Sequence, residues 1–166
     1  GFRVPCLARM PGHISPGQVS DEFCTTLDLL PTLSQLIGEE IPTDRIIDGK
    51  DIWPIITSKA EARSPHETFY FYIGRNLQAV QSRDWKLILP RPELPELMNE
   101  YWASHFEPIK SPELYNLKTD ISEKNDLASE RPDLVEKLLA IAENAREDLG
   151  EGARIGQGER FWESNP

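Results

Sequence analysis

The residues able to do chemistry in this sequence are few and scattered. His13, His66 and His105 stand far apart and lack the three- or four-residue spacing that would put two imidazoles on one helix face for zinc. Asp44, Asp48 and Asp51 invite a calcium reading, but the run lacks the alternating ligands and closing Glu of an EF-hand loop. Asp48-Gly49 reads instead as a solvated turn. No Gly-x-Ser-x-Gly elbow and no phosphate-cradling Gly-rich loop occurs. Cys6 and Cys24 are too few for a disulfide framework, and both are expected to be small buried hydrophobes, with a single bridge between them as the alternative. Arg75, which follows Gly74, is a candidate ligand for an anionic substrate group.

The elements that would position these residues fall into two kinds. At the start, Val4-Pro5-Cys6-Leu7-Ala8-Arg9-Met10 is an apolar run closed by Pro11-Gly12, which predicts a buried strand feeding a turn. Leu27, Leu30, Leu33, Leu36 and Ile37 then recur at helical steps, with Pro31 allowed only in the first turn and Gly38 as the left-handed stop. Such a strand and helix cannot bury their apolar stripe alone. They are expected to pack on a sheet most of which is not encoded here. Residues 39–62 read as a connection with turns at Pro42 and Asp48-Gly49, pinned by Ile46, Ile47 and the Ile52-Trp53-Pro54-Ile55-Ile56 run.

From Thr68 the period changes to that of strands. Residues 68–73, 77–81 and 85–89 are short, aromatic or branched, and separated by Gly74-Arg75-Asn76 and Ser82-Arg83-Asp84, so they predict an antiparallel meander. In the second of these, Leu77, Ala79 and Gln81 alternate with Gln78 and Val80, which leaves the buried face open. Residues 90–112 form a Pro-rich connection that could carry a short helix over 96–105, and residues 113–117 add a last strand. Pro132 then opens a helix whose stripe is Leu134, Leu138, Ile141, Ala142, Ala145 and Leu149, with Gly150 as the stop and Glu136, Lys137, Glu143, Arg146 and Glu147 on a solvated face. The tail, with Phe161 and Trp162 as docking anchors, is expected to be extended or partly disordered.

The order of several short motifs carries a resemblance. Arg3-Val4-Pro5, Pro11-Gly12-His13-Ile14, Asp28-Leu29-Leu30-Pro31-Thr32-Leu33 and Asp48-Gly49-Lys50-Asp51 come first. Trp85-Lys86-Leu87-Ile88, Glu113-Leu114-Tyr115-Asn116-Leu117 and Glu123-Lys124-Asn125-Asp126-Leu127-Ala128 follow. In this order they resemble the C-terminal third of the sulfatases of the alkaline phosphatase superfamily, and residues 41–45 lean toward the arylsulfatase and N-acetylhexosamine-sulfatase branch.

The resemblance implies an α/β fragment followed by an α+β part. Residues 1–62 would be the C-terminal edge of the large alkaline-phosphatase-like α/β domain, residues 63–150 a small antiparallel sheet packed by a C-terminal helix, and residues 151–166 an extended tail. It implies calcium and a formylglycine nucleophile for the parent enzyme, made from the Cys or Ser of a Cys/Ser-x-Pro-x-Arg motif. Neither Cys6-Leu7-Ala8-Arg9 nor Cys24-Thr25-Thr26-Leu27 fits that motif. This chain alone is therefore expected to supply no catalytic residue and no metal ligand, and to show no sulfatase activity. Arg3, near the segment that would carry the active site, and Tyr101, Trp102 and His105, on a connection that in this family lies near the active-site mouth, join Arg75 as candidate substrate contacts. The implied partners are the N-terminal sulfatase domain and, through the parent, a sulfated small molecule or glycan. The implied compartment is periplasmic, secreted or lysosomal.

Composition narrows the alternatives. A net charge of -10 over 166 residues argues against a general nucleic-acid or anionic-membrane binder. No apolar run approaches the roughly 18 residues that span a bilayer. Two other readings stay open at the level of sequence: a stand-alone, non-catalytic carbohydrate-binding or interaction domain, and part of a related phosphate or phosphonate esterase.

Overall fold

The structure is a computed structural model that describes residues 3–91, 108–158 and 160. The chain divides into two units, Gly1–Glu67 and Thr68–Pro166.

In the first unit, Thr25 and Asp28 form a reciprocal capping box around a 3-10 turn, Thr26–Asp28: the Leu27 amide donates to Thr25 Oγ1 at 3.1 Å and the Thr25 amide to Asp28 Oδ2 at 2.7 Å. Helix α1, Leu29–Ile37, follows directly and ends on Gly38 at φ 76°, the left-handed cap that glycine adopts without strain. Pro31 lies in its first turn as expected. The burial of α1 is inverted. Its buried residues are Pro31 and Thr32, whereas Leu29, Leu30, Leu33, Leu36 and Ile37, which share one face at helical spacing, are all exposed.

A short helix α2, Trp53–Ile56, interrupts the connection that sequence read as turns and anchors. Ile52 and Ile55 are the anchors it buries, and Ile46 is exposed. The expected strand over residues 4–10 is absent: that segment has no regular structure, and Leu7 is 98% exposed. Cys6 and Cys24 are likewise exposed free thiols rather than buried hydrophobes. An apolar run states that a segment needs cover; it does not supply the cover.

The second unit builds its own core. Strands β1 (Thr68–Ile73), β2 (Asn76–Ser82), β3 (Trp85–Ile88) and β4 (Glu113–Asn116) form one antiparallel sheet in sequence order. The β1–β2 loop is Gly74-Arg75, with only Gly74 at positive φ (56°), the glycine-first pattern of a type II′ hairpin turn. The register passes from Phe71↔Ala79 to Tyr72↔Leu77, so Gln78 is an extra, bulged residue. This resolves the ambiguous alternation of β2. The bulge reverses the phase, and Leu77 and Val80 enter the same core with Leu87, Leu89 and Leu114.

Helix α3, Pro132–Leu149, starts with Pro132 in its first turn and stops at Gly150. It contributes Leu138, Ala142 and Ala145 to that core, all at most 1% exposed. Full burial of a leucine is worth about 1.5–3 kcal/mol before entropic costs, so this cluster is the main stabiliser of the unit. The tail departs from expectation. Strands β5 (Gly150–Glu151) and β6 (Arg154–Ile155) make an ordered hairpin folded back against the end of α3. Arg146, expected on the solvated face, is half-buried and paired with Glu151.

Candidate functional site

The most concentrated polar constellation in the first unit centres on Asp28, which is fully buried. Its placement follows from the capping box, which turns its carboxylate back toward the start of α1 while the chain brings two distant segments to it. Oδ1 accepts the Lys50 amide at 2.9 Å and lies 2.6 Å from His66 Nε2, and Oδ2 accepts the Thr25 amide. With a carboxylate as acceptor, the Nε2 nitrogen of His66 carries the donated proton. The His66 ring stands edge-on to Phe23, with centroids 5.9 Å apart.

Neighbouring bonds complete the knot. The Ile52 amide donates to Thr32 Oγ1 at 3.0 Å, the Ser64 amide to Glu22 Oε2 at 2.8 Å, and Lys50 Nζ to the Pro65 carbonyl at 2.9 Å. Gly49 makes the close approach possible, since a Cβ there would sit 1.9 Å from the Leu27 carbonyl oxygen. An Asp–His pair has the group types of a proton relay. Here the carboxylate's acceptor positions are taken up by chain segments, so the arrangement fixes residues 25–32, 49–52 and 64–66 relative to one another.

Sequence reading did not find this pair. Thr25-x-x-Asp28 is a local capping signal, but nothing local announces that His66, 38 positions away, closes it. Beside the knot, loss of hydration, then the negative charge of Asp28, push the Cys24 thiol up to about 11, so it is a thiol rather than a thiolate at neutral pH.

Of the candidate substrate contacts, Arg3 lies exposed in the irregular segment of the first unit. Arg75 lies in the β1–β2 turn of the second, where its Nε donates to the Gly152 carbonyl at 2.7 Å and its Nη2 reaches that of Arg154 at 3.4 Å. It borders an open hollow of about 190 Å³ with Tyr72, Gly74, Leu149 and Gly150. Tyr72 donates its hydroxyl to the Gly150 carbonyl at 2.9 Å, and burial, then the Glu151 carboxylate, push its phenol up to about 12. Tyr101, Trp102 and His105 lie outside the described residues, as do the expected helix over 96–105 and the anchors Phe161 and Trp162.

The second unit also holds the side chains of the later sequence motifs. Lys86 is paired with Glu123 at 3.0 Å and sits 4.9 Å from the centre of the Phe71 ring. Asp126 accepts the Leu114 and Ala128 amides, each at 2.9 Å. Asp120 accepts the amides of Asn125 and Lys124, and these bonds, the one from Asn125 foremost, hold its carboxyl below the usual range. These motif residues build turns and strand edges. Among the described residues no group of three or more His, Cys, Asp or Glu side chains could hold a metal ion.

Residues 64–164 match the family model of the C-terminal region of aryl-sulfatase. The chain belongs to this family. Within the sulfatases, it is 36% identical to steryl-sulfatase of Mus musculus over 161 residues, which is 88% of this chain and 26% of that protein. It is 32% identical to arylsulfatase D of Homo sapiens over 155 residues, 84% of this chain and 26% of that one. It is also 37% identical to N-acetylgalactosamine-6-sulfatase of Mus musculus over 86 residues, 52% of this chain and 16% of that protein.

Among solved structures, one described under the metabolism of multiple glycosaminoglycans by Bacteroides thetaiotaomicron superposes with a TM-score of 0.56 at 26% identity, over 72% of this chain and 24% of that one. The crystal structure of Ps i-CgsB shares the fold, with a TM-score of 0.60 at 20% identity over 90% of this chain and 30% of its own. This sulfatase C-terminal region thus spans about a quarter of the length of the steryl-sulfatase and arylsulfatase D that it matches.

Proposed function

We propose that this chain is the C-terminal part of an enzyme that hydrolyses aryl or sugar sulfate esters, and that it completes the fold and the substrate cleft of that enzyme without supplying its nucleophile. In this reading the first unit is the edge of a large α/β body, and the exposed stripe Leu29, Leu30, Leu33, Leu36 and Ile37 is the surface that body covers. The observation that carries the reading is the family match over residues 64–164 together with the inverted burial of α1. A helix that buries Pro31 and Thr32 while exposing five leucine and isoleucine side chains is made to dock.

Hydrolysis of a sulfate ester requires a nucleophile, neutralisation of the sulfate oxygens and a proton donor for the leaving alcohol. The sequence holds no Cys/Ser-x-Pro-x-Arg, so in this reading the formylglycine, and the calcium that acts with it, belong to the part of the parent that carries that motif. Its own contribution in this reading is to complete the fold and the substrate cleft, with Arg3, Arg75, Tyr101, Trp102 and His105 as the candidate contacts to the aryl or sugar sulfate.

The test is turnover of 4-nitrophenyl sulfate. The purified chain is expected to be inactive. Mixing it with the N-terminal body of a homologous sulfatase truncated before the matching segment is expected to restore hydrolysis, and Leu33→Glu with Ile37→Glu to prevent that restoration. Activity of the chain by itself, or restoration indifferent to the α1 changes, overturns the reading.

A further inference from the structure

Cys6 and Cys24 take no part in the proposed role, yet they are the two thiols of the sequence and both are free and exposed. The backbone between them reverses direction. The Met10 carbonyl accepts the His13 amide at 3.0 Å and the Ile14 amide at 2.8 Å, with Gly12 at φ 84° inside the turn and a second left-handed glycine, Gly17, at φ 74°. Electrostatics then place the sulfurs beside each other. After lost hydration and the Asp28 carboxylate, the next influence holding the proton on Cys24 is the charge of a Cys6 thiolate, ahead of that of Glu22. Charges act on an ionisation only at short range, so Cys6 is a neighbour of Cys24 in space.

The two members are held unequally. Cys24 is fixed on both sides: the Phe23 carbonyl accepts the Ser64 hydroxyl at 2.5 Å, and the Thr25 amide donates to Asp28 Oδ2 at 2.7 Å. Cys6 lies in the segment without regular structure, where no strand ladder or helix opposes a small approach. Exposure also removes the reason to treat either residue as a core hydrophobe, and leaves the single bridge as the better account. We propose that Cys6 and Cys24 are a disulfide-forming pair, oxidised by a small-molecule disulfide such as glutathione disulfide, and that the bond ties residues 4–10 to the entry of α1. The Cys6 thiolate attacks one sulfur of the oxidant and expels a glutathione thiolate. Cys24, losing its proton to solvent, attacks the Cys6 sulfur of the mixed disulfide and expels the second. Two thiols become one disulfide, and the S–S bond of the oxidant is reduced to two glutathione thiols, which take up the two protons. Cys24 is the second attacker because it remains a thiol at neutral pH.

The experiment holds the 166-residue chain at neutral pH in glutathione buffers of fixed ratio, once folded and once in concentrated urea, quenches with acid and separates the species by intact mass. The bridged chain is lighter than the reduced chain by two hydrogens, whereas each mixed disulfide adds a glutathione. Trypsin should release Val4–Arg9 joined to Met10–Arg45 from the bridged chain. Because folding holds the sulfurs together, the ratio of bridged to singly glutathionylated chain is expected to be at least about tenfold higher folded than in urea. By linkage the bridge then favours the folded first unit by the same factor. A ratio no higher in the folded chain than in urea overturns the proposal. So does a folded chain that accumulates glutathione on both cysteines.

Discussion

Helices α1 and α3 are written in similar code and buried in opposite senses. Both carry apolar residues at three- and four-residue steps, a proline in the first turn and a terminal glycine. In α3 the stripe is the inside: Leu138, Ala142 and Ala145 pack on the sheet of their own unit. In α1 the stripe is the outside, while Pro31 and Thr32 are buried and Thr32 accepts the Ile52 amide. Hydrophobic period fixes where a helix forms and which face seeks cover. It is silent on whether the cover lies in the same unit.

The comparison can be broken most severely in the first unit, whose order rests on backbone proximity and a buried polar knot. Gly49→Ala forces a Cβ into the Leu27 carbonyl, and is expected to cost about 4 kcal/mol or more. The Lys50 and Ile52 amides should lose exchange protection while the amides of β2 and β3 keep theirs. Asp28→Ala leaves the Thr25 and Lys50 amides and His66 without their acceptor, with an expected loss of about 3–5 kcal/mol in chemical denaturation of that unit.

In the second unit the damage should come from apolar deletion. Leu138→Ala is expected to cost about 2–5 kcal/mol, read as a lower urea midpoint for β2 and β3 amides with the first unit unaffected. A change of opposite sign sharpens the contrast: Gln78 Oε1 is buried without a hydrogen-bond partner, so Gln78→Leu should stabilise by about 1 kcal/mol. The gentlest probe is alkaline titration followed at 295 nm. Tyr72 keeps its proton in the folded state to about pH 12, whereas the unfolded phenol releases it near 10. Stability contributed by this group is therefore present below pH 10 and lost as pH rises from 10 toward 12, and Tyr72→Phe should remove that late step.

The second unit was legible in the sequence because its periods are local. Thr68–Ile73, the hairpin glycine Gly74, the Pro132 start and the Gly150 stop each sit within a few residues of what they control. The bulge at Gln78 was not, since it shows only as a clash between two alternations, Leu77 with Ala79 and Gln78 with Val80. The tail hairpin was missed because two-residue strands have no period to read. In the first unit, apolarity alone predicts a buried strand over residues 4–10, with Cys6 in it, and a buried Cys24 ahead of the helix, and the structure leaves both cysteines exposed. The Asp28–His66 pair joins residues 38 positions apart, a distance at which residue type carries no partner information. Of the candidate substrate contacts, Arg75 donates to two carbonyl oxygens of the tail, those of Gly152 and Arg154.

The tie between Arg75 and the tail has a mechanical side. Arg75 holds the carbonyls of Gly152 and Arg154, Glu151 is held by Arg146, and the Gln157 amide reaches back to the Glu147 carbonyl. Tension applied beyond residue 158 would therefore reach both the last turns of α3 and the β1–β2 hairpin instead of falling on the helix end alone.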